Sequence, residues 1–222
     1  MEKNSHVSTD IVSFRFSRNE DNNTYYLNYT AGQYAVFDLG TKEDPEGPIR
    51  SFTLASSPTE ENFILISTRI RDTPFKKKLD SLDVGISVKL TAPLGKFVLH
   101  EDHSRAVVLL SGGIGVTPFR SMIKYATDKQ VPVRIILFDA NRNQDNILYK
   151  KEFDECANSN RNLKIISDND WKGERGYINQ TMLTKYLSST EMDNSIFYIC
   201  GPPGMLNAMK KLLQVDLAIP KV

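Results

Sequence analysis

Up to about residue 102 the hydrophobic positions come in short β-rich runs. Residues 11–16, 34–39, 51–54, 63–69 and 84–90 are of this kind, separated by turn clusters that include Gly32, Gly40, Gly47 and Pro58. Strand-length runs at this spacing, with little helical periodicity, predict an antiparallel barrel or sandwich. One short helix is expected over residues 75–82.

Beyond residue 102 strand and helix patterns alternate. Residues 107–110, 133–138, 163–167 and 196–200 are compact apolar runs of the kind buried on both faces of a parallel sheet. Between them, Phe119, Met122, Ile123 and Ala126 follow helical spacing, with Thr117 as the expected N-cap and Pro118 at the first helical position. Tyr149, Phe153, Cys156 and Ala157 repeat that spacing, as do Met205, Met209, Leu212 and Leu213. The expectation is an antiparallel β-barrel over residues 1–101, then an α/β doubly wound parallel-sheet domain over 102–222, joined by the polar stretch 100–104.

Composition narrows the classes. The 222 residues are 40% hydrophobic and 25% charged, which excludes a disordered or collagen-like chain. Twenty-eight Lys and Arg against 27 Asp and Glu leave a net charge of +1, so no global electrostatic argument for nucleic acid exists. The longest strongly apolar runs, 106–110 and 133–138, fall far short of a membrane helix, and the first ten residues lack the apolar run of a signal peptide. A soluble, cytoplasmic monomer away from membranes is expected. Cys156 and Cys200 make no disulfide framework and cannot fill a four-cysteine cluster or zinc site. His100-Glu101-Asp102-His103 imitates a metal cluster but reads as a polar linker, so no metal is expected.

Three motifs carry chemistry. Ser111-Gly112-Gly113-Ile114-Gly115-Val116-Thr117-Pro118 joins a strand to a helix, where glycines let backbone N–H groups approach an anion. A tight strand-to-helix turn explains the same glycines by sterics alone. Cys200-Gly201-Pro202-Pro203-Gly204-Met205 makes a second such turn, and in an open α/β sheet the two would face one crevice. Cys200 by itself reads equally as a buried, inert thiol. In the β-rich half, Arg50-Ser51-Phe52-Thr53 enters a strand, with an Arg able to fork onto a pyrophosphate and a hydroxyl on the opposite face.

Together with Pro93-Leu94-Gly95-Lys96-Phe97, these segments resemble, in order and rough spacing, the motifs RxYS/T, PxGxF, GGxGxTP and CGPPGM of the ferredoxin–NADP reductase superfamily. The chain looks most like its compact bacterial and archaeal reductases, with features similar to cytochrome b5 reductase. The resemblance implies an FAD-binding barrel followed by a nicotinamide-binding α/β domain. It assigns Arg50 to the FAD pyrophosphate, Phe52 to the flavin ring, Thr53 to flavin N5, and Ser67, Thr68 and Arg69 to the strand following the flavin edge. Thr73, Phe75 and Lys76 fall where many members carry GxxS at the pyrophosphate, here without the glycine and with Lys for Ser. Thr117 and Cys200 would flank the nicotinamide. Gly112, Gly113, Gly115, Gly201, Pro202 and Met205 would hold the rest of the dinucleotide. Thr53, Thr117 and Cys200 are thereby the expected catalytic positions.

The implied activity is that of an FAD-dependent oxidoreductase using NAD(P)H, which needs no side-chain acid because the cofactors hold the reactivity. Asp139 at a strand end favours a ribose diol, whereas Arg142, beside Asn141, favours a 2′-phosphate and tilts the expectation toward NADPH. Lys76-Lys77-Lys78, with Arg69 and Arg71, reads either as a solvated helix face or as a dock for an acidic electron carrier such as ferredoxin. A flavin reductase using diffusible flavin, and a non-enzymatic relay subunit of a complex, are the alternatives. After residue 213 only residues 214–222 remain, where family members add a strand and often an aromatic tail. An open flavin face or a longer chain would each account for that.

Overall fold

Strand pairing divides the chain where the periodicity changes. The computed structural model describes residues 2–8, 10–18, 27–142, 147–166, 174 and 176–220. In the first half, β1 (Glu2–Ser8), β2 (Ile11–Ser17) and β5 (Phe63–Arg69) form one antiparallel sheet in the order β1-β2-β5. A second, ordered β4-β3-β6, contains β3 (Tyr34–Asp38), β4 (Ile49–Thr53) and β6 (Lys89–Leu94). Phe14, Phe37, Phe52, Leu54 and Ile66 fill the space between the sheets, and α1 (Pro74–Asp80) adds Phe75 and Leu79 to the same core.

The second half is a four-stranded parallel sheet ordered β10-β7-β8-β9. Its strands are β7 (Val107–Gly112), β8 (Ile135–Ala140), β9 (Leu163–Ile166) and β10 (Ile196–Cys200). Val107, Leu109, Ile135 and Leu137 pack under α2 (Thr117–Asp128) and α3 (Lys150–Ser159). Val108, Leu110, Ile136 and Phe138 meet the opposite layer, α4 (Gln180–Tyr186) and α6 (Pro203–Lys211). Period-2 alternation with both faces apolar therefore gives the doubly wound arrangement.

Several expectations shift. The run 84–90 is not a strand: Ile86 N–H bonds back to Asp83 O around Gly85, leaving Val84 71% exposed, and pairing begins only at Lys89. Thr117 is not the N-cap but the first residue of α2, because a 3-10 turn over Gly113–Val116 precedes it. β1 was not expected from its polar sequence, nor were α4 and α5 (Ser189–Asn194). The α5 start carries a legible signal, the Ser188/Glu191 capping box. Ser167 lies outside the described residues. No helix among the described residues is long and apolar enough to cross a membrane.

The halves share a core. Ile11, Ala31, Ala55 and Leu65 pack with Phe119, Met122 and Tyr198 in one cluster. A Cβ on Gly32 would lie 2.2 Å from Phe97 O and 2.4 Å from Met122 Cε, so only glycine fits where the halves touch. His100, in the polar joint, spends its ring nitrogens on the Tyr198 hydroxyl and Arg105 O, 3.1 Å each, as a linker histidine does.

Candidate functional site

The two glycine turns meet. β7 and β10 are adjacent parallel strands with Cys200 opposite Ser111, so both turns leave the same sheet edge. A Cβ on Gly115 would sit 2.2 Å from Cys200 O and 2.8 Å from Gly201 Cα, and one on Gly112 would sit 2.4 Å from Met205 Sδ. Pro202 Cδ closes the same contact at 3.1 Å. Close packing of one turn on the other thus requires these glycines. Gly113 has φ +54° and faces the other half: a side chain there would reach Arg69 Nη2 at 3.7 Å. The Thr117 hydroxyl is buried and donates to Ile114 O at 3.1 Å, and burial raises the Cys200 pKa, keeping its thiol protonated.

Beneath the first turn lie buried polar atoms lacking partners. Among the described residues no hydrogen bond of good geometry reaches Ser111 Oγ, Asp139 Oδ1 or Asn141 Oδ1, although Asn141 Nδ2 donates to Asp139 Oδ2 at 2.8 Å. Asp139 is 7% exposed, and burial, opposed by the neighbouring Ser111 and Asn141 side chains, pushes its pKa up to about 6. Its carboxylate is therefore not presented as an open strand-end acceptor for a ribose diol, which corrects that expectation. Arg142 is exposed beside it.

In the β-rich half, Arg50 is held by its own loop. Nη2 pairs with the buried Asp44 at 2.5 Å, Nε with Glu46 at 3.1 Å, and Nη1 donates to the Glu46, Gly47 and Ile49 carbonyls. Asp44 also accepts the Phe75 amide, the first cause of its lowered pKa. Ser51 is exposed, while Phe52 is 8% exposed and packs on Phe37 and Phe75. The Lys76 ammonium sits 4.3 Å from the Phe52 ring centroid and bonds the Thr68 hydroxyl. The ring face expected to meet a flavin is covered by that cation here. Thr73 caps α1, accepting from Lys76 N–H, and the fully buried Phe75 side chain belongs to the core. Thr53 is half-buried at the end of β4, paired through its backbone with Tyr34, and its hydroxyl has no hydrogen-bond partner among the described residues.

Along β5 the expected trio splits. Thr68 shares the face of Ile64 and Ile66, between the two sheets, and bonds Lys76, whereas Ser67 bonds Ser13 at 2.6 Å and Tyr149 at 2.5 Å on the opposite face. Arg69 shares that second face and pairs with Asp10. Strand alternation forbids all three side chains from lining one surface. The triple lysine divides likewise: Lys76 turns inward, Lys77 pairs with Asp72 at 2.5 Å, and Lys78 is exposed.

Both groups implied by the resemblance fit this donor set. Burial, together with Arg50 and Arg71, lowers the Lys76 pKa to about 8, and a desolvated ammonium crowded by guanidinium charge suits a diphosphate. The glycine turns at the ends of β7 and β10, which leave no room for side chains, suit the close backbone approach of a dinucleotide. Lys76 supplies the first test. Bound diphosphate raises the Lys76 pKa, so FAD affinity should be flat below pH 8 and fall as the free form deprotonates above it, by at most about tenfold per pH unit. Fluorescence titration of FAD at pH 7 to 9.5 should show that fall in the wild type and lose it in Lys76→Met. Parallel profiles would remove Lys76 from the site.

Residues 1–99 match the family model of the oxidoreductase FAD-binding domain, and residues 109–211 that of the oxidoreductase NAD-binding domain. The flavohemoprotein of Bacillus subtilis (strain 168) is 28% identical over 220 residues, spanning 95% of this chain but 54% of that protein. NADH-cytochrome b5 reductase 1 of Aspergillus fumigatus is 29% identical over 218 residues, 92% of this chain and 69% of that protein. The FAD/NAD-binding domain of the Vibrio cholerae nitric oxide dioxygenase superposes with a TM-score of 0.80 at 21% identity, covering 99% of this chain and 92% of that one, which shows a shared fold.

Proposed function

Because the chain belongs to the ferredoxin–NADP reductase superfamily, we propose that it is an FAD-dependent NAD(P)H oxidoreductase divided at residues 101 and 102 into a flavin half and a nicotinamide half. Bound FAD would take a hydride from NAD(P)H and release electrons singly to an acceptor. The protein's contribution is placement. Gly112–Gly115 and Cys200–Met205 form the nucleotide crevice. Thr53 offers a free hydroxyl, and Lys76 with Arg50 supplies positive charge. The observation that carries this reading is the meeting of the two glycine turns at one sheet edge, with Gly113 against Arg69 of the other half.

With Asp139 buried, exposed Arg142 supports NADPH over NADH. The acceptor is proposed as an acidic carrier protein such as a ferredoxin, approaching two exposed cations, Arg71 just before α1 and Lys78 on it. Anaerobic titration of the FAD-loaded protein tests the function. NADPH should bleach the flavin band, NADH more slowly, and carrier reduction should weaken with added salt. A flavin band unmoved by either nucleotide would end the proposal. Thr53→Val should slow bleaching at least tenfold while leaving FAD content unchanged, and an unchanged rate would take Thr53 out of the reaction.

One observation favours the flavin-reductase alternative. All three nitrogens of the Arg50 guanidinium are engaged by its own loop, which loosens any grip on a pyrophosphate. Gel filtration separates the two, because a diffusible flavin leaves the protein colourless.

A further inference from the structure

We propose that Arg120 is a positioning residue that locks the angle between the two halves and thereby sets the distance for hydride transfer; the inference rests on the function proposed above. Arg120 lies on α2, about one helical turn beyond the glycine turn, and is 3% exposed amid the apolar stripe of Phe119, Met122 and Ile123. Its guanidinium crosses to the other half. Nη1 donates to Ala55 O and Glu60 Oε2, both at 2.8 Å, and Nη2 donates to Glu60 Oε1 at 3.0 Å. Nη2 also pairs with Glu152 of α3 at 2.5 Å, and the cation lies 5.2 Å from the Tyr149 ring centroid. Burial opposes its charge, but the Glu60 hydrogen bonds and the two carboxylates outweigh burial and hold its pKa above the ordinary value.

The elements it ties matter. Ala55 and Glu60 belong to the segment between β4 and β5, whose strands end in Thr53 and in Thr68–Arg69. Arg120 therefore joins the helix carrying the nucleotide turn to the loop between the two flavin-side strands. Neighbouring contacts repeat the link. Ser121 Oγ donates to Ser56 O at 2.6 Å, and the Tyr149 hydroxyl reaches Ser67 at 2.5 Å. Tyr149 holds φ at 58°, a left-handed backbone that residues other than glycine seldom adopt. A planar fork fixes angle as well as distance, which a flexible ammonium does not. Burial weakens salt screening of the Arg120–Glu60 pair, so the lock should depend little on ionic strength. A misplacement of about 1 Å between reacting groups costs on the order of a hundredfold in rate.

The test uses the full chain loaded with FAD. In Arg120→Met, stopped-flow bleaching at saturating NADPH should slow at least tenfold, while NADP+ affinity and FAD content stay within twofold of wild type. Arg120→Lys should recover only part of the rate, because charge returns without the fork. Hydrogen exchange gives the readout independent of activity. Peptides over 55–65 and 117–128 should lose protection in Arg120→Met, while those over 34–38 and 196–200 keep it. Wild-type bleaching with an opened interface would overturn the positioning role. A slowing that tracks FAD loss, or lost protection throughout both halves, would also overturn it by showing a merely structural part. A wild-type flavin that no nucleotide bleaches would sink the function itself and this inference with it. Should Arg120→Met fail to fold, Glu60→Gln combined with Tyr149→Phe carries the same comparison.

Discussion

Gly115→Ala should lower the melting temperature by roughly 6–12 °C, which corresponds to about 3 kcal/mol in a chain of this size. The added Cβ would stand 2.2 Å from Cys200 O and 2.5 Å from its carbonyl carbon, and both neighbours are backbone at the end of β10, held in the sheet beside the fully buried β7. No rotamer can relieve that contact, so β10 or the turn must move. The nucleotide crevice would open with it, and NAD(P)H affinity should fall at least tenfold. Gly204→Ala is the control, because nothing lies within 4 Å of its Cβ position, and it should be neutral or slightly stabilising. A Gly115→Ala protein that melts with wild type would mean the two turns do not touch.

Asp139→Asn should make the protein more stable at pH 8, by roughly 3 kcal/mol, with no gain at pH 4. The sign follows from the direction of the shift. Burial raises the folded-state pKa from 3.8 to about 6, so the folded protein binds more protons than the unfolded chain between those values. The contribution of Asp139 is fully present below pH 3.8 and is lost as the pH rises through 6; above that a buried, half-satisfied carboxylate burdens the fold. Asparagine carries no charge and offers N–H groups to the orphaned Ser111 and Asn141 oxygens. Urea unfolding of both proteins from pH 4 to 8 measures the difference, and parallel curves over that range would show that Asp139 is solvated or otherwise paired.

Both expected effects reside where sequence and tertiary structure divide the information. The strand at 63–69 and the one at 196–200 are read to the residue, because β-branched and aromatic runs bounded by turn residues leave one solution. The run 84–90 misleads because exposed Val84 and Ile86 mimic a strand, while the turn at Gly85 delays pairing. β1 is polar and is recruited by the edge of β2, a partner no local pattern announces. At the site, Gly112, Gly115 and Gly201 are legible as motif glycines. That they press on one another rather than only on a ligand is not, since the contact spans about 85 residues of chain. Arg120 and Glu60 escape sequence reading altogether, and Tyr149 is legible only as one apolar position of a helical repeat. An arginine beside an apolar helical stripe carries no mark of its partner, and only the docking of two halves supplies one.

Taken alone, the order of residues determined the change from antiparallel to parallel architecture and the places of the glycine turns, because these depend on side-chain periodicity and local backbone sterics; the chemistry expected of the four motifs is what their resemblance to a family implies. Which hydroxyls remain free, which charges are spent on neighbours and how the two halves lock were decided only by the tertiary structure. Burial and pairing across distant segments are properties of the packed chain, and a carboxylate such as Asp139 or a guanidinium such as Arg50 takes its availability from those contacts.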